Sequence, residues 1–389
     1  MNIMGIEDLD FTNVDDNLKH LTKNQVLEVI NKYYDGVNVD KILEDYKINV
    51  ATTRLVRIFP RLFIDKVCEK CGERLIVEFK SKSTSKPIDL TKAYCPSCGH
   101  RENAYCTCNY CRTKRQEAEE AREQRLKTRI ENLDHEIVQE ESLSQKDKLY
   151  LSVVLRAAMS EDVGIIEPIS KLERKLTPSE EWTVELMKTL IARDLISVSA
   201  ESDLDVFMEE KDFLSYPVLD VKYNINVEPY DGNYENMIKR LMYPDPEQFD
   251  TDFCYDMWKK VALSECEEYL LFEMNKVRYN FSPGKKTYMV LESLTEHFST
   301  GQIYNIIYRS VANSTKRYQS GEITKKHAQN LVISFCEHMG ERAVAENWNM
   351  VSYGRRYDLP ESVISEVLFN SIMQISSLGF FEKPTRDFR

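Results

Sequence analysis

Ten cysteines stand in this chain, and seven of them fall within the 44 residues from Cys68 to Cys111. Cys68-Glu69-Lys70-Cys71-Gly72 and Cys95-Pro96-Ser97-Cys98-Gly99 are two pairs with the same spacing. Two residues between cysteines let one tight turn present both sulfurs to a single ion, and the glycine after each pair permits a positive φ. Four thiolates close a tetrahedron around zinc, and a closed tetrahedron is a structural site with no open position for chemistry. Downstream, Cys106, Cys108 and Cys111 offer three thiols in six residues, and His100 precedes them. A Cys₃His set is a known structural composition, so the segment has ligands for two tetrahedral ions. Alternatively, one of these cysteines replaces a ligand of the first set and the others stay free. One to two zinc ions per chain are expected.

Leu75 to Phe79 alternates apolar and polar residues and supplies a strand between the two pairs. The stretch resembles the zinc-ribbon family, in which two such knuckles sit at the tips of β-hairpins. The other three cysteines, Cys254, Cys266 and Cys336, are scattered through helical text and read as core thiols. Cys336 and His338 lie two apart, on different faces of a helix, so they make no nucleophile–base pair.

A second group of residues points to phosphate. The net charge is −12, yet residues 51–130 hold 18 Lys/Arg against 10 Asp/Glu, a local +8 that leaves −20 for the rest. A basic island on an acidic protein indicates a localised polyanion site. Val39 to Arg57 reads VDKILEDYKINVATTRLVR. Ile42 and Leu43 face inward on a short helix, Ile48 sits in a turn, and Leu55 and Val56 face inward on a second helix from Ala51 to Phe59, stopped by Pro60. With the helix that begins at Lys23, this resembles the helix-turn-helix family over residues 23–62, with Lys47 where that family usually has glycine. On the second helix Arg54, Arg57 and Arg61 share a face, and Thr52 and Thr53 stand at its N-terminal end. The resemblance implies base contacts from the start of that helix and phosphate contacts from its arginines.

The elements that must position these groups follow from patterning. Residues 1–20 are acidic and read as loose. Arg112 to Gln145 reads as one long charged helix, on which Leu126, Ile130, Leu133 and Ile137 repeat as a short coiled-coil seam. That helix either connects neighbouring domains or makes a dimer. Lys146 to Ala158, Ile169 to Leu176 and a helix through Trp182, Leu186 and Leu190 follow. Thr177 is the expected N-cap of the last, with Pro178 in its first turn and Glu180 completing a capping box. Ile196 to Val198 and Leu204 to Phe207 read as a hairpin, an order that resembles a winged helix, and Val218 to Val227 as a further strand. From Tyr234 onward the text is helical, with Trp258, Leu270, Ile303, Ile306 and Ile333 among the expected core.

The expected fold is mainly α and multi-domain. It comprises a helix-turn-helix head (1–66), a small β zinc ribbon with the second cysteine cluster (67–111), a charged connecting helix (112–146), a winged-helix-like α/β unit (147–230) and a helical C-terminal domain (231–389). Residues 147–389 are expected to fold alone and to bind no DNA. Glycine is scarce, at 12 residues, and no phosphate-loop, dinucleotide, nucleophile-elbow or zinc-protease motif occurs. No apolar run reaches the ~18 residues of a membrane span, and the N-terminus lacks the pattern of a secretory signal. These observations predict a cytoplasmic, non-catalytic, zinc-stabilised DNA-binding regulatory or recruiting protein. DNA is expected at residues 39–115 and a protein partner on the acidic C-terminal half. An effector or adaptor of a bacterial mobile-element or phage-defence system, acting through a protein partner, is the alternative.

Overall fold

Side-chain caps set many of the boundaries. Thr22 and Gln25 form a reciprocal capping box that starts α1 (Lys23–Tyr34), and Asn38 caps α2 (Val39–Asp45). The computed structural model describes residues 5–84, 86–101, 105–133, 135–161, 164–209 and 214–388. It is mainly helical with small sheets, and the chain divides into two compact units, up to Arg125 and from Leu126. The division falls inside a charged helix, α3 (Asn109–Glu131).

In the first unit, Ala51 offers no capping side chain to the segment after α2, which forms a 3₁₀ helix, Thr52–Ile58, and not an α-helix. Two threonines, a valine and an isoleucine crowd these seven residues. Pro60 bars the α region to Phe59, so no longer helix develops. The turn before it contains no glycine: Lys47 itself adopts φ +53°, and Ile48 is buried. Residues 5–20 are not loose. Leu9 and Asp10 form β1, which pairs with β2 (Arg61–Val67), and β2 pairs with β3 (Arg74–Val77), giving an antiparallel sheet in the order β1-β2-β3. Leu9, Leu18, Ile30, Ile42, Leu55, Leu62 and Leu75 share one core with Cys68 and Cys95. The helical head and the cysteine region are therefore one packed body.

The expected long helix stops at Glu131. Val138–Gln139 instead forms β4, and Ser144 caps a separate helix, α4 (Gln145–Ala158), through a capping box with Asp147. The coiled-coil seam is broken accordingly. Leu126 and Ile130 are buried in the second unit's core, whereas Ile137 is 66% exposed. The strands that follow are β5 (Ile165–Ile166), β6 (Ile196–Val198), β7 (Met208–Glu209), β8 (Leu214–Ser215), β9 (Tyr223–Ile225) and β10 (Val227–Glu228). Between β5 and β6 lies α5 (Glu180–Ala192). Its N-cap is Ser179, whose hydroxyl accepts the Trp182 N–H, while the Thr177 hydroxyl donates to the Ser179 carbonyl. Ile169–Lys171 and Leu204–Val206 are single 3₁₀ turns, not the expected helix and strand. The partner of β6 is β9, in an antiparallel sheet ordered β5-β9-β6, and β4 pairs in parallel with β10.

The remaining helices are α6 (Tyr234–Met242), α7 (Thr251–Lys276), α8 (Lys285–His297), α9 (Thr300–Gln319) and α10 (Lys325–Ala345), followed by short helical turns between Val363 and Phe381. Their packing does not break near residue 230. Val153, Leu186 and Ile196 share a core with Met237, Trp258 and Phe369, and a second core joins the end of α7 to α8, α9 and α10. Among the described residues, no helix is long and apolar enough to cross a membrane.

Candidate metal centres

Two hairpins of the first unit carry the first four ligands. Hairpin one is β2 and β3 with Cys68–Cys71 at its tip. Cys68 donates its N–H to the Glu73 carbonyl at 2.7 Å and receives the Gly72 N–H on its own carbonyl at 2.9 Å. The second tip repeats this pattern: Cys95 N–H donates to the His100 carbonyl at 2.7 Å, and Gly99 N–H to the Cys95 carbonyl at 2.9 Å. Gly72 and Gly99 take φ +73° and +69°, the left-handed region that the chain must enter to leave each turn. A bridge between Ile76 and Tyr94, bonded both ways at 2.9 Å, joins the hairpins. The joined tips face each other.

All four thiols therefore converge. Sγ of Cys68 lies 3.6 Å from Cys98, and Cys71 lies 3.3 Å from Cys95 and 3.8 Å from Cys98. A tetrahedron of thiolates ~2.3 Å from an ion places its sulfurs about 3.8 Å apart, so the set matches a closed four-sulfur site in size. Cys68 and Cys95 are buried and Cys71 is exposed, so one edge faces solvent.

The second set begins two residues later in the chain. Nδ1 of His100, itself buried, lies 3.2 Å from Cys111, 3.6 Å from Cys108 and 3.8 Å from Cys106. Nitrogen and sulfur on one tetrahedral ion stand about 3.6 Å apart. Cys108 gives its carbonyl to the N–H of Arg112, which opens α3, and Cys111 lies on its first turn. Arg101 donates its backbone N–H to the Cys106 sulfur at 3.1 Å. Arg115, a residue the ligand spacing did not single out, donates to the carbonyls of Cys106 and Cys111 and so ties the helix back onto the site. Its position four residues after Cys111 on a helix is the signal that would have found it.

The acidities fit a cation. Burial pushes the Cys106 thiol up, but N–H donors from Cys108 and Arg101 outweigh it and bring it down to about 6. At Cys95 burial likewise pushes the thiol up, but the N–H donors of Cys98 and Ser97 with the Cys71 thiol overcome it and bring it down to about 7. Their neighbours go the other way: burial first, then adjacent sulfurs, raises Cys98 to about 12 and Cys111 to about 11. Each crowded set thus holds one thiol ready to ionise beside another that resists, and a dication is what lets the thiols of a set ionise together. Among the described residues, these two sets are the Cys/His groups able to hold a metal ion, which accommodates one or two ions per chain.

The expected nucleic-acid residues separate. Thr52, Thr53, Arg54 and Arg57 are all exposed on the 3₁₀ segment, where three residues per turn put Arg54 directly above Arg57. Arg61 leaves that face. It opens β2, pairs across to Asp10, and lays its guanidinium 5.5 Å from the centre of the Tyr94 ring. In the second unit, Cys254, Cys266 and Cys336 are buried in the helical cores, and burial pushes the Cys336 thiol up to about 12. His338 is exposed and paired with Glu341.

No protein-family model matches this chain, and no curated protein or solved structure matches it.

Proposed function

We propose that this protein is a zinc-stabilised, DNA-binding regulatory or recruiting protein that performs no catalysis itself. The observation that carries the reading is the gathering of eight ligands into two closed sets of four within the same body that displays Thr52, Thr53, Arg54 and Arg57. Sulfur-rich closed sets favour zinc, and with four protein ligands each leaves no position for a reacting water. The hairpins then act as a zinc ribbon whose metal holds the head, α1, α2 and the 3₁₀ turn, in shape. Leu55 and Val56 lie in one core with Cys68 and Cys95, so loss of the ion would loosen the reading surface from beneath. Arginine suits that surface because its planar fork meets both phosphate oxygens and guanine edges.

The second unit takes the protein-facing part. Its order α4, β5, α5, β6, β9 and its sheet order β5-β9-β6 resemble a winged helix. The exposed start of α5 carries Glu180 and Glu181, which repel a phosphate backbone, and Glu185 is already held by Lys260 at 3.1 Å. Acidic α5 suits a protein contact better than a DNA groove.

The test is a salt series. Full-length protein, purified without chelator, is assayed for zinc by elemental analysis and for duplex DNA binding by fluorescence anisotropy at rising salt. Affinity should fall steeply with salt, and Arg54→Ala/Arg57→Ala should flatten the slope. Equal binding by wild type and this variant at every salt, or protein that carries no zinc, would overturn the proposal.

A further inference from the structure

Beside the first metal set, the hairpin sheet encloses a pocket of about 310 Å³ that the sequence did not announce. Lys80, Lys92 and Arg101 line it together with Glu78 and Asp89, and Tyr94 is its aromatic lining. Asp89 is not available to a ligand. It is held by Lys80 at 2.7 Å and caps the turn Leu90–Lys92, accepting from the backbone and hydroxyl of Thr91. These donors, the Lys80 ammonium first, hold its carboxyl down at about 2, so it stays charged and paired. Lys92 and Arg101 have no ion pair among the described residues. Arg101 instead stacks its guanidinium on Tyr94 at 5.7 Å from the ring centre, and Arg61 stacks on the same ring at 5.5 Å.

After the Lys80–Asp89 pair cancels, two cations, Lys92 and Arg101, remain in the pocket against the single carboxylate of Glu78. The excess matches one phosphodiester. The aromatic ring spreads the two guanidinium groups into fixed planes while leaving their N–H edges for oxygen. The pocket is also tied to both ligand sets. Tyr94 and Arg101 face each other across the second hairpin, whose tip is the Cys95–Cys98 knuckle, and the Arg101 N–H bonds the Cys106 sulfur.

We infer that this pocket is a phosphate-binding site, with Lys92 and Arg101 as its anion contacts, and that the phosphate it takes belongs to the DNA backbone. The inference rests on the DNA-binding reading above, to which it adds a second contact apart from Arg54 and Arg57. It assigns the zinc-bearing hairpin a direct grip on nucleic acid, beyond holding the head in shape. A backbone phosphate carries no sequence information, so the contact fixes register and leaves base choice to the head.

The experiment uses full-length, metal-loaded protein with two probes, a 20-base-pair duplex in a salt series and inorganic phosphate followed through the backbone amides of Tyr94 and Arg101. Lys92→Gln/Arg101→Gln should reduce the slope of log affinity against log salt by about one unit, the loss of one phosphate contact. Arg101→Lys, which keeps the charge, should retain most of the slope, and zinc content should be unchanged in both. An unchanged slope in the double variant, with a reduced slope in Arg54→Ala/Arg57→Ala, would overturn the pocket and leave the DNA reading standing. A wild type that ignores DNA but whose Tyr94 and Arg101 amides respond to inorganic phosphate, lost in the double variant, would uphold an anion site and overturn the DNA reading. No response to either probe would overturn both. A slope lost equally in Arg101→Lys would mean that the side chain serves the fold, and would overturn the contact.

Discussion

Replacing Cys111 by serine removes one ligand from the second metal set and leaves the first intact, which separates the two sites in one measurement. Elemental analysis should count two zinc ions in the wild type and one in Cys111→Ser. The consequence for structure follows from burial. From Arg112 to Arg125 every residue of α3 is exposed except the half-buried Arg122. Within its own unit this stretch has almost no packing to hold it. Such an isolated length of helix is marginal in water, where stability needs roughly 12–15 residues even in favourable sequences. Its start is fixed by Cys108, Cys111 and the Arg115 clamp, and its far end by Leu126 and Ile130 in the second core. Losing the metal should therefore release the first turns of α3. Backbone amides of residues 109–118 should exchange about tenfold or more faster, while those of β2 and β3 keep their protection. Cys95→Ser should behave differently, because Cys95 is fully buried in the shared core. A structural zinc site contributes apparent binding energy of about 10–16 kcal/mol, as large as the whole stability of a typical domain at about 5–15 kcal/mol. Cys95→Ser should unfold the first unit and leave the second melting as before. Two ions retained by Cys111→Ser, or unaltered exchange at 109–118, would refute the reasoning about the second site.

Other predictions test the supports. Gly99→Ala meets no atom within 4 Å but must hold φ +69°, so it should cost about 1–2 kcal/mol and weaken metal affinity roughly tenfold in a chelator competition; unchanged affinity would refute the turn's role. Ser179→Ala should lower the second unit's stability by about 1 kcal/mol and Ser179→Gly by only a few tenths, measured by urea unfolding; equal losses would contradict the assigned cap. Arg355 bonds the buried Glu265 carboxylate at 2.6 Å. Burial raises the carboxyl's pKa, and Arg355 is the cation that opposes it. Arg355→Met should cost about 3–5 kcal/mol by stranding that charge, and Glu265→Met added to it should recover more than half. A double variant no more stable than the single would refute the pairing.

The two candidate ligand sets were legible because their geometry is local. A Cys-x-x-Cys-Gly turn closes its own hydrogen bonds from Cys68 to Glu73 and from Cys95 to His100, and needs nothing distant to form. Capping boxes are local too, as at Thr22 and Ser144, yet the one expected from the sequence, Thr177 with Glu180, gives way to a cap at Ser179 two residues on. The coarse division into mainly helical text with small sheets follows from the same short-range signals. What the chain alone left open depends on partners far along it. Arg61 continues a helical spacing with Arg54 and Arg57, and only pairing of its neighbour Leu62 with Leu9 and Val77 draws it into a strand. Leu9 sits in an acidic stretch that earns no structure until β2 is beside it. Val138 lies within a charged helical pattern, yet Val227 takes it as a parallel strand, and Ile196 passes over the nearby Leu204 to pair with Ile225. The pocket between Lys92 and Arg101 has no motif, because residues from the loop after β3 and from the second hairpin meet only once the sheet has closed. Periodicity and caps act over a few residues and are written in the sequence order, whereas strand pairing and burial are settled by which distant apolar face remains uncovered when the core assembles.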